Sequence, residues 1–285
     1  MQFAPNRGIS TCNKQACRPA LTNEIYVYFS AMSTAVIIGT GNVAHHLFDA
    51  MQASGHVEVI QVLGRSKKAL ARFGNDCSTG LITDPLLPAD IYIIAVSDDA
   101  ITSVSQLIKL KNKLVVHTSG SKEASVLEGS FRKGVFYPLQ TFSRERVINF
   151  REVPVCIEAE DPDDLAFLQK LAGALSEQVY ELPFEKRRQL HLAAVFVNNF
   201  GNHLFHLADE MLRKDMLSFN LLLPLIRETA GKLEQMTPYE AQTGPARRGD
   251  EKTMGAQKRL LQDRTRTELY DLMSNSIQKT YAKNL

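Results

Sequence analysis

The chain has 285 residues, of which 44% are hydrophobic and 22% charged, the composition of a globular protein long enough for two domains. Its 33 basic and 31 acidic residues leave a formal net charge of +2, so charge indicates neither a nucleic-acid partner nor a membrane-surface partner. No apolar run approaches the ~20 residues that a membrane-spanning helix needs, and we expect a cytoplasmic protein.

The first 31 residues differ from the rest of the chain. They lack the uninterrupted apolar region of ~7–15 residues that a secretory signal contains, and Met32 stands two residues before the first predicted strand. We expect this stretch to be poorly ordered, either as a dispensable extension or as a mis-assigned start. The four cysteines, at positions 12, 17, 77 and 156, lack metal-ligand spacing and are expected to be free thiols.

The most informative segment joins a strand to a helix at residues 34–47. An apolar, β-branched run, typical of a strand buried on both faces of a parallel sheet, ends in Gly-x-Gly-x-x-Ala and passes into a helical pattern. In a dinucleotide-binding turn the first glycine permits the turn, the second lets the backbone approach a pyrophosphate, and the small third residue lets the helix pack closely. The free N–H groups of that helix then face the phosphates. The predicted cofactor contacts are Gly39, Thr40, Gly41, Asn42, Val43 and Ala44, and a plain strand–turn–helix corner is the alternative.

Strands and helices are predicted to alternate up to residue 182. The predicted strands after the first are 56–63, 90–96, 113–117, 135–137, 153–158 and 179–182, and the clearest helices cover 42–54 and 162–176. Such alternation predicts an α/β fold, a Rossmann-type, mostly parallel sheet with helices on both faces. From residue 183 the strand pattern ends and helices are predicted over 185–213, 217–235 and twice after 249. We therefore predict a dinucleotide-binding domain over 32–182 and an all-α domain over 183–285.

The end of the second predicted strand indicates which nicotinamide cofactor binds. Glu58 has the ~20-residue spacing of an NAD-binding acidic residue, but it stands near the start of the strand, ~20 Å from the cofactor end. That end carries Arg65 and Ser66, and an arginine presents paired N–H donors to phosphate oxygens. NADP is therefore favoured over NAD, with a solvated basic loop as the alternative. A methyltransferase fits less well, because Val43 replaces a glycine and no acidic residue closes the strand.

Polar residues follow the other predicted strands at the edge where open α/β sheets bind ligands. Val96 and Ser97 are predicted to contact the cofactor, and Ser119, Gly120 and Gln140 the substrate. Both serines have an alternative role as helix caps or turn residues.

The long helix after residue 183 carries polar side chains in an apolar segment. His191, Asn198 and Asn202 fall on one stripe because seven residues nearly complete two helical turns. We predict His191 as a proton donor, since an imidazole is readily tuned near neutral pH, and Asn198 as its catalytic partner. Asn202 is predicted to contact the substrate. Hydrogen bonding between helices is the alternative, and the stripe has too few carboxylates for a metal site.

A loop at 243–250 contains Gly244, Pro245, Arg247, Arg248 and Asp250. We predict that the two arginines hold a substrate carboxylate. The alternative is an ion pair that braces two helices.

Four segments together resemble a bacterial family that pairs a Rossmann-like domain with a helical domain of unknown function. They are Gly39-x-Gly41-x-x-Ala44, the segments 137–142 (Tyr-Pro-Leu-Gln-Thr-Phe) and 191–200 (His-Leu-Ala-Ala-Val-Phe-Val-Asn-Asn-Phe), and the loop 243–250. The family belongs to the wider group of pyrroline-5-carboxylate reductases and β-hydroxyacid dehydrogenases. The resemblance implies an NADP oxidoreductase without a settled substrate. It also implies a helical domain that forms a homodimer and contributes to the cleft, which would bring the 243–250 loop near a cofactor.

One departure from that group concerns the reaction. β-Hydroxyacid dehydrogenases carry a Lys with an Asn one turn later on the long helix, where this chain has Arg187 and His191. The prediction is an NADP-dependent oxidoreductase that transfers a hydride between NADPH and a small, anionic C=O or C=N compound, with no nucleic-acid or membrane partner. The alternative is a non-catalytic NADP-binding interaction or sensor protein.

Overall fold

The computed structural model describes residues 32–282, and the predictions for residues 1–31 lie outside the described residues. The chain divides into two compact units, the first ending at Gly201 and the second beginning at Asn202.

An eight-stranded sheet forms the centre of the first unit, in the order β3-β2-β1-β4-β5-β6-β7-β8. Its strands are β1 (Ser33–Ile38), β2 (Val57–Gly64), β3 (Ser78–Leu81), β4 (Ile91–Ile94), β5 (Leu114–His117), β6 (Arg132–Pro138), β7 (Val155–Ala159) and β8 (Val179–Glu181). Neighbouring strands run parallel, except for the antiparallel pair β6 and β7. The predicted α/β fold with a mostly parallel sheet is confirmed.

Five α-helices accompany the sheet in the described part of the first unit. They are α1 (Asn42–Ser54), α2 (Lys67–Leu70), α3 (Ile101–Ser105), α4 (Pro162–Leu175) and α5 (Phe184–Ala194), and a π-helical turn, Val195–Phe200, follows α5. Between β2 and β4 the regular elements are the short α2 and β3.

The sheet buries apolar side chains on both faces. In β1, Ala35 and Ile37 pack in one cluster with Leu47 of α1. Val36 and Ile38 pack in a second cluster with Ile101 of α3. A strand that is covered on both faces has no solvent-facing positions where polar residues would alternate with apolar ones. This explains why β1 appears in the sequence as a continuous apolar run.

The first unit extends beyond the predicted domain border at 182/183. Arg187 of α5 is fully buried and pairs with Glu158 of β7, while its guanidinium also reaches the loop after β5. These long-range contacts hold α5 on the sheet, although α5 reads as the start of a helical domain in sequence.

The second unit consists of helices and the segments that join them, with no strand within residues 202–282. Its helices are α6 (Gly201–Lys214), α7 (Leu223–Gly231), α8 (Pro238–Ala241), α9 (Pro245–Arg248), α10 (Glu251–Leu260) and α11 (Arg264–Tyr281). Within the described residues, none of the helices combines the length and the apolar character required to span a membrane.

Candidate active site

The glycine-rich turn after β1 has the backbone that the sequence predicted. Gly39 has a φ of +136°, which L side chains rarely adopt, and its N–H donates to the carbonyl of Leu63 at 2.8 Å. A Cβ at Gly39 would lie 2.1 Å from the carbonyl oxygen of Ala95. Both the conformation and the space therefore require glycine at this turn.

The N-terminus of α1 is open to an anion. Gly41 is the N-cap, no side chain caps the helix, and apart from Gly41 and its two chain neighbours no atom of the described residues lies within 4 Å of the position that a Gly41 Cβ would take. The N–H groups of the first turn have no intrahelical acceptor, so together with the helix dipole they favour a bound phosphate. This uncapped and accessible terminus fits the pyrophosphate of a dinucleotide.

A cavity of about 450 Å³ lies beside this turn. It is lined by Gly39, Thr40, Gly41, Asn42, Val43, Gly64, Arg65, Ile82, Ala95, Val96, Ser97, Ala100, Val104 and Arg144. Most of the predicted cofactor residues are thus brought together in one place, which we call the nucleotide pocket. Two predicted residues do not line it: Ala44 is fully buried against the sheet core, and Ser66 is the N-cap of α2.

The register of the sheet separates the two candidate ribose-binding positions. Glu58 pairs with Thr34 at the start of β1, whereas Leu63 pairs with Ile38 next to the glycine-rich turn. Glu58 therefore lies at the far end of β2, and Arg65 follows the end that borders the nucleotide pocket.

Arg144 lines the nucleotide pocket but was not among the predicted residues. Its guanidinium donates to the carbonyl of Thr40 at 2.9 Å, across 104 residues of sequence. Two further bonds hold the same segment on α1, from Asn42 to the carbonyl of Phe142 at 2.8 Å and between His46 and the carbonyl of Ser143 at 3.0 Å. No local pattern predicts these contacts, since they depend on how the chain folds back after β6.

Tyr137 and His191 form a hydrogen-bonded pair at the carboxyl end of β6. Tyr137 Oη lies 3.0 Å from His191 Nδ1, and the two rings meet edge to face. A Cβ at Gly120 would lie 2.6 Å from Tyr137 Cζ and 2.7 Å from His191 Nδ1, so only glycine leaves room for the pair. Burial raises the pKa of Tyr137 to about 12, which keeps the phenol protonated at neutral pH.

Arg187, one helical turn before His191, stabilises the loop between β5 and β6. Its guanidinium lies 2.7 Å from a Glu158 carboxylate oxygen and donates to the carbonyls of Ser119 at 3.3 Å and Lys122 at 2.8 Å. Burial lowers its pKa, against the opposing effect of Glu158. The side chain is enclosed, so Arg187 positions the loop that carries Gly120.

The buried His117 fixes the same loop. The N–H of Ser119 donates to His117 Nδ1 at 3.1 Å, which leaves the ring proton on Nε2, where it faces the carbonyl of Glu123 at 3.0 Å. Burial lowers the pKa of His117 to about 4, so the ring is neutral. The Ser119 hydroxyl accepts from the backbone N–H groups of Ser121 and Lys122, the turn role that was the alternative to substrate binding.

The other predicted substrate residues are dispersed. Gln140 accepts a local bond from the N–H of Thr141. The segment Val195–Phe200 is π-helical, so the α-helical spacing that placed His191 and Asn198 on one stripe is not kept. Asn202, Arg247 and Arg248 belong to the second unit.

Arg247 has structural contacts within the second unit. Its guanidinium donates to the carbonyls of Glu240 and Gln242 and lies over the ring of Tyr281. Asp250 caps α10 by accepting from the N–H of Thr253. Arg247 thus stabilises the segment 240–242 through backbone carbonyl groups. Substrate binding by Arg247 or Arg248 stays a prediction.

Comparisons with known proteins show which proteins the chain is similar to. Residues 34–120 match a family model described as NADP oxidoreductase coenzyme F420-dependent, and residues 153–277 match a domain of unknown function, DUF2520. A Bacteroides fragilis protein assigned as an NADP oxidoreductase is 40% identical, with a TM-score of 0.81 over 87% of this chain and 98% of its own. A Thermotoga maritima protein is 21% identical, with a TM-score of 0.68 over the same shares.

More distant solved structures share the fold. An imine reductase of Myxococcus stipitatus in complex with NADP+ is 14% identical, with a TM-score of 0.57 over 88% of this chain and 93% of its own. No curated protein matches the chain.

Proposed function

The chain belongs to the bacterial family of Rossmann-like, NADP-oxidoreductase-type proteins with a C-terminal helical domain of unknown function, and we propose that it is an NADPH-dependent reductase of small anionic compounds with a C=O or C=N bond. The observation that carries this proposal is the Tyr137–His191 pair beside Gly120. Tyr137 lies near the carboxyl end of β6 and Gly120 follows β5, at the same sheet edge as the glycine-rich turn after β1.

The residues of the nucleotide pocket support NADPH as the cofactor. The uncapped N-terminus of α1 would hold the pyrophosphate, and Arg65 the 2′-phosphate. Arg144 adds a second guanidinium to the pocket. When bound, the nicotinamide supplies the hydride that reduces the substrate carbon.

The protein's part in the reaction is to deliver a proton. In its protonated form, His191 donates Nδ1–H to Tyr137 Oη and transfers the Nε2 proton to the oxygen or nitrogen of the reduced bond. The ring is then neutral and regains its proton from water. Tyr137 orients the imidazole, because its raised pKa makes loss of the phenol proton unfavourable.

A substrate panel tests the activity. We expect steady consumption of NADPH with at least one small 2-oxo acid or cyclic imine that carries a carboxylate, followed by NADPH absorbance. Tight NADPH binding without turnover on any member of the panel would overturn the reductase proposal.

The second candidate function is a non-catalytic NADP-binding interaction or sensor protein. One observation favours it: Arg187, the basic residue one turn before His191, is enclosed and paired with Glu158, so it cannot exchange protons with a substrate. The reductase mechanism therefore uses His191 and not Arg187 as its ionisable group on α5.

We also propose that the protein is a homodimer. Apolar side chains between residues 192 and 200 are exposed, including Phe196 at 62% and Val197 at 81%. Exposed apolar residues grouped in this way are typical of an interaction surface. A second copy of the chain is the occupant that the family resemblance favours.

A further inference from the structure

A second cavity, of about 1040 Å³, lies in the first unit. It is lined by α1, α2, the segment 144–151 and the end of α4. Arg65 and the glycine-rich turn line the nucleotide pocket and are not among the residues that line this second cavity. Nothing in the proposed reductase mechanism uses the second cavity.

The lining of the second cavity is strongly basic. It contains Lys68, Arg72, Arg144, Arg146 and Arg151, against one carboxylate, Asp49. Arg72 pairs with Asp49, and Arg151 pairs with Glu177 outside the lining. Within residues 32–282, Lys68, Arg144 and Arg146 have no ion-pair partner, so the cavity keeps an excess of positive charge.

A buried histidine of the lining has an unused donor. His45 is 7% exposed, and its Nδ1 accepts a hydrogen bond from Arg72 Nε at 2.9 Å. The ring proton is therefore on Nε2, which is buried without a hydrogen-bond partner in the described part of the chain. Burial, together with the nearby Arg144 and Arg72, lowers the pKa of His45, so the ring is neutral at physiological pH.

We propose that the second cavity binds a small ligand with more than one phosphate group, and that Arg144 couples this site to the nucleotide pocket. Arginine side chains bind phosphate oxygens through paired N–H donors. The guanidinium groups without a carboxylate partner come from Arg144 and Arg146, while Lys68 is on α2, so the charges are spread over two segments of the chain. A spread of this kind suits linked phosphates better than a single one.

Arg144 provides the coupling because it lines both cavities and donates to the carbonyl of Thr40 in the glycine-rich turn. One guanidinium then serves two anions. Occupancy of the second cavity therefore weakens NADPH binding, and NADPH weakens binding in the second cavity by the same factor.

The test is calorimetric titration of the full chain with sodium tripolyphosphate, without nucleotide. Arg146 lines only the second cavity and Arg65 only the nucleotide pocket, so Arg146→Gln and Arg65→Gln are matched charge removals. We expect Arg146→Gln to raise the Kd for tripolyphosphate about tenfold, the loss of one charged hydrogen bond, and to leave NADPH binding unchanged. Arg65→Gln is expected to leave tripolyphosphate binding unchanged.

Two further titrations locate the coupling. Tripolyphosphate raises the Kd for NADPH in the wild type, and Arg144→Gln removes this effect. Absence of tripolyphosphate binding overturns the proposal. So does binding that Arg65→Gln weakens as much as Arg146→Gln, because the anion would then occupy the nucleotide pocket. Retained NADPH binding in Arg146→Gln shows that the variant is folded.

Discussion

Tyr137 Oη lies 3.0 Å from His191 Nδ1, although 54 residues separate the two in sequence. The contact joins the end of β6 to α5 and passes over Gly120, where no side chain fits. Arg187 holds the same loop through the carbonyls of Ser119 and Lys122. The pair is thus held by two separate elements of the first unit.

His191 and Tyr137 are expected to act on turnover and not on cofactor affinity. His191→Gln removes the proton donor and should lower kcat about 100-fold or more, the usual contribution of general acid catalysis. Tyr137→Phe should cause a smaller loss, since the imidazole stays but loses its hydrogen bond. The Kd for NADPH should stay unchanged in both variants.

Tyr180→Phe is the matched control for Tyr137→Phe, because the Tyr180 hydroxyl bonds only to Gln178 at the surface. It should retain full activity. Wild-type kcat in His191→Gln would remove His191 from the mechanism.

The glycine-rich turn should not tolerate a methyl group. Gly39→Ala places a Cβ 2.1 Å from the Ala95 carbonyl oxygen in a conformation that L residues rarely adopt, and we expect it to lower the free energy of unfolding by about 3 kcal/mol or more. Gly173→Ala, in α4 with open space around it, should leave stability unchanged or raise it by up to ~1 kcal/mol. Urea unfolding measures both, and equal stabilities would contradict the assigned turn.

His117 should make the protein less stable in mild acid. Its folded-state pKa of about 4 lies below the ordinary value of 6.5, so between these pH values the unfolded chain binds more protons. The free energy of unfolding should therefore fall as the pH drops from 6.5 to 4, by up to about 3 kcal/mol from this residue.

Urea titrations of the wild type and His117→Gln across this pH range isolate the effect. The lowered pKa of His45 acts in the same direction in both proteins. The quantity to compare is therefore the slope of the unfolding free energy against pH in the wild type and in the variant. The variant should show the shallower slope. Parallel slopes would mean that His117 is not the group responsible.

The proposed homodimer should depend on the apolar surface between residues 192 and 200. Val197→Asp adds a charge to a side chain that is 81% exposed, so it should not disturb the fold of the single chain. Light scattering after size exclusion is expected to give a dimer for the wild type and a monomer for the variant. A wild-type monomer at micromolar concentration would contradict the proposal.

The sequence predicted the parts of the fold that depend on local pattern. The run 34–38, the glycine spacing and the helix from Asn42 to Ser54 are all set by neighbouring residues, and each is present in the structure. Strand length alone was also enough to predict that Glu58 lies far from the cofactor end of β2. The β1–β2 register places Glu58 opposite Thr34, at the start of β1.

Contacts across long stretches of sequence could not be predicted in this way. Arg144 reaches Thr40 across 104 residues, and Arg187 reaches Ser119 across 68, so neither the place of Arg144 at the glycine-rich turn nor the burial of Arg187 could be predicted. The π-helical turn at Val195–Phe200 also has no sequence pattern that separates it from an α-helix. The polar stripe was predicted with α-helical spacing, and the π-helical turn changes the angle between His191 and the residues that follow it.

The most direct measurement is a fluorescence titration of the full chain with NADPH and with NADH, in the wild type and in Arg65→Ala. We predict that the wild type binds NADPH at least tenfold more tightly than NADH, because Arg65 forms charged hydrogen bonds with the 2′-phosphate. Arg65→Ala should abolish this preference and keep the NADH affinity. Equal binding of the two cofactors by the wild type would contradict the role of Arg65, and binding of neither would contradict the proposed reductase.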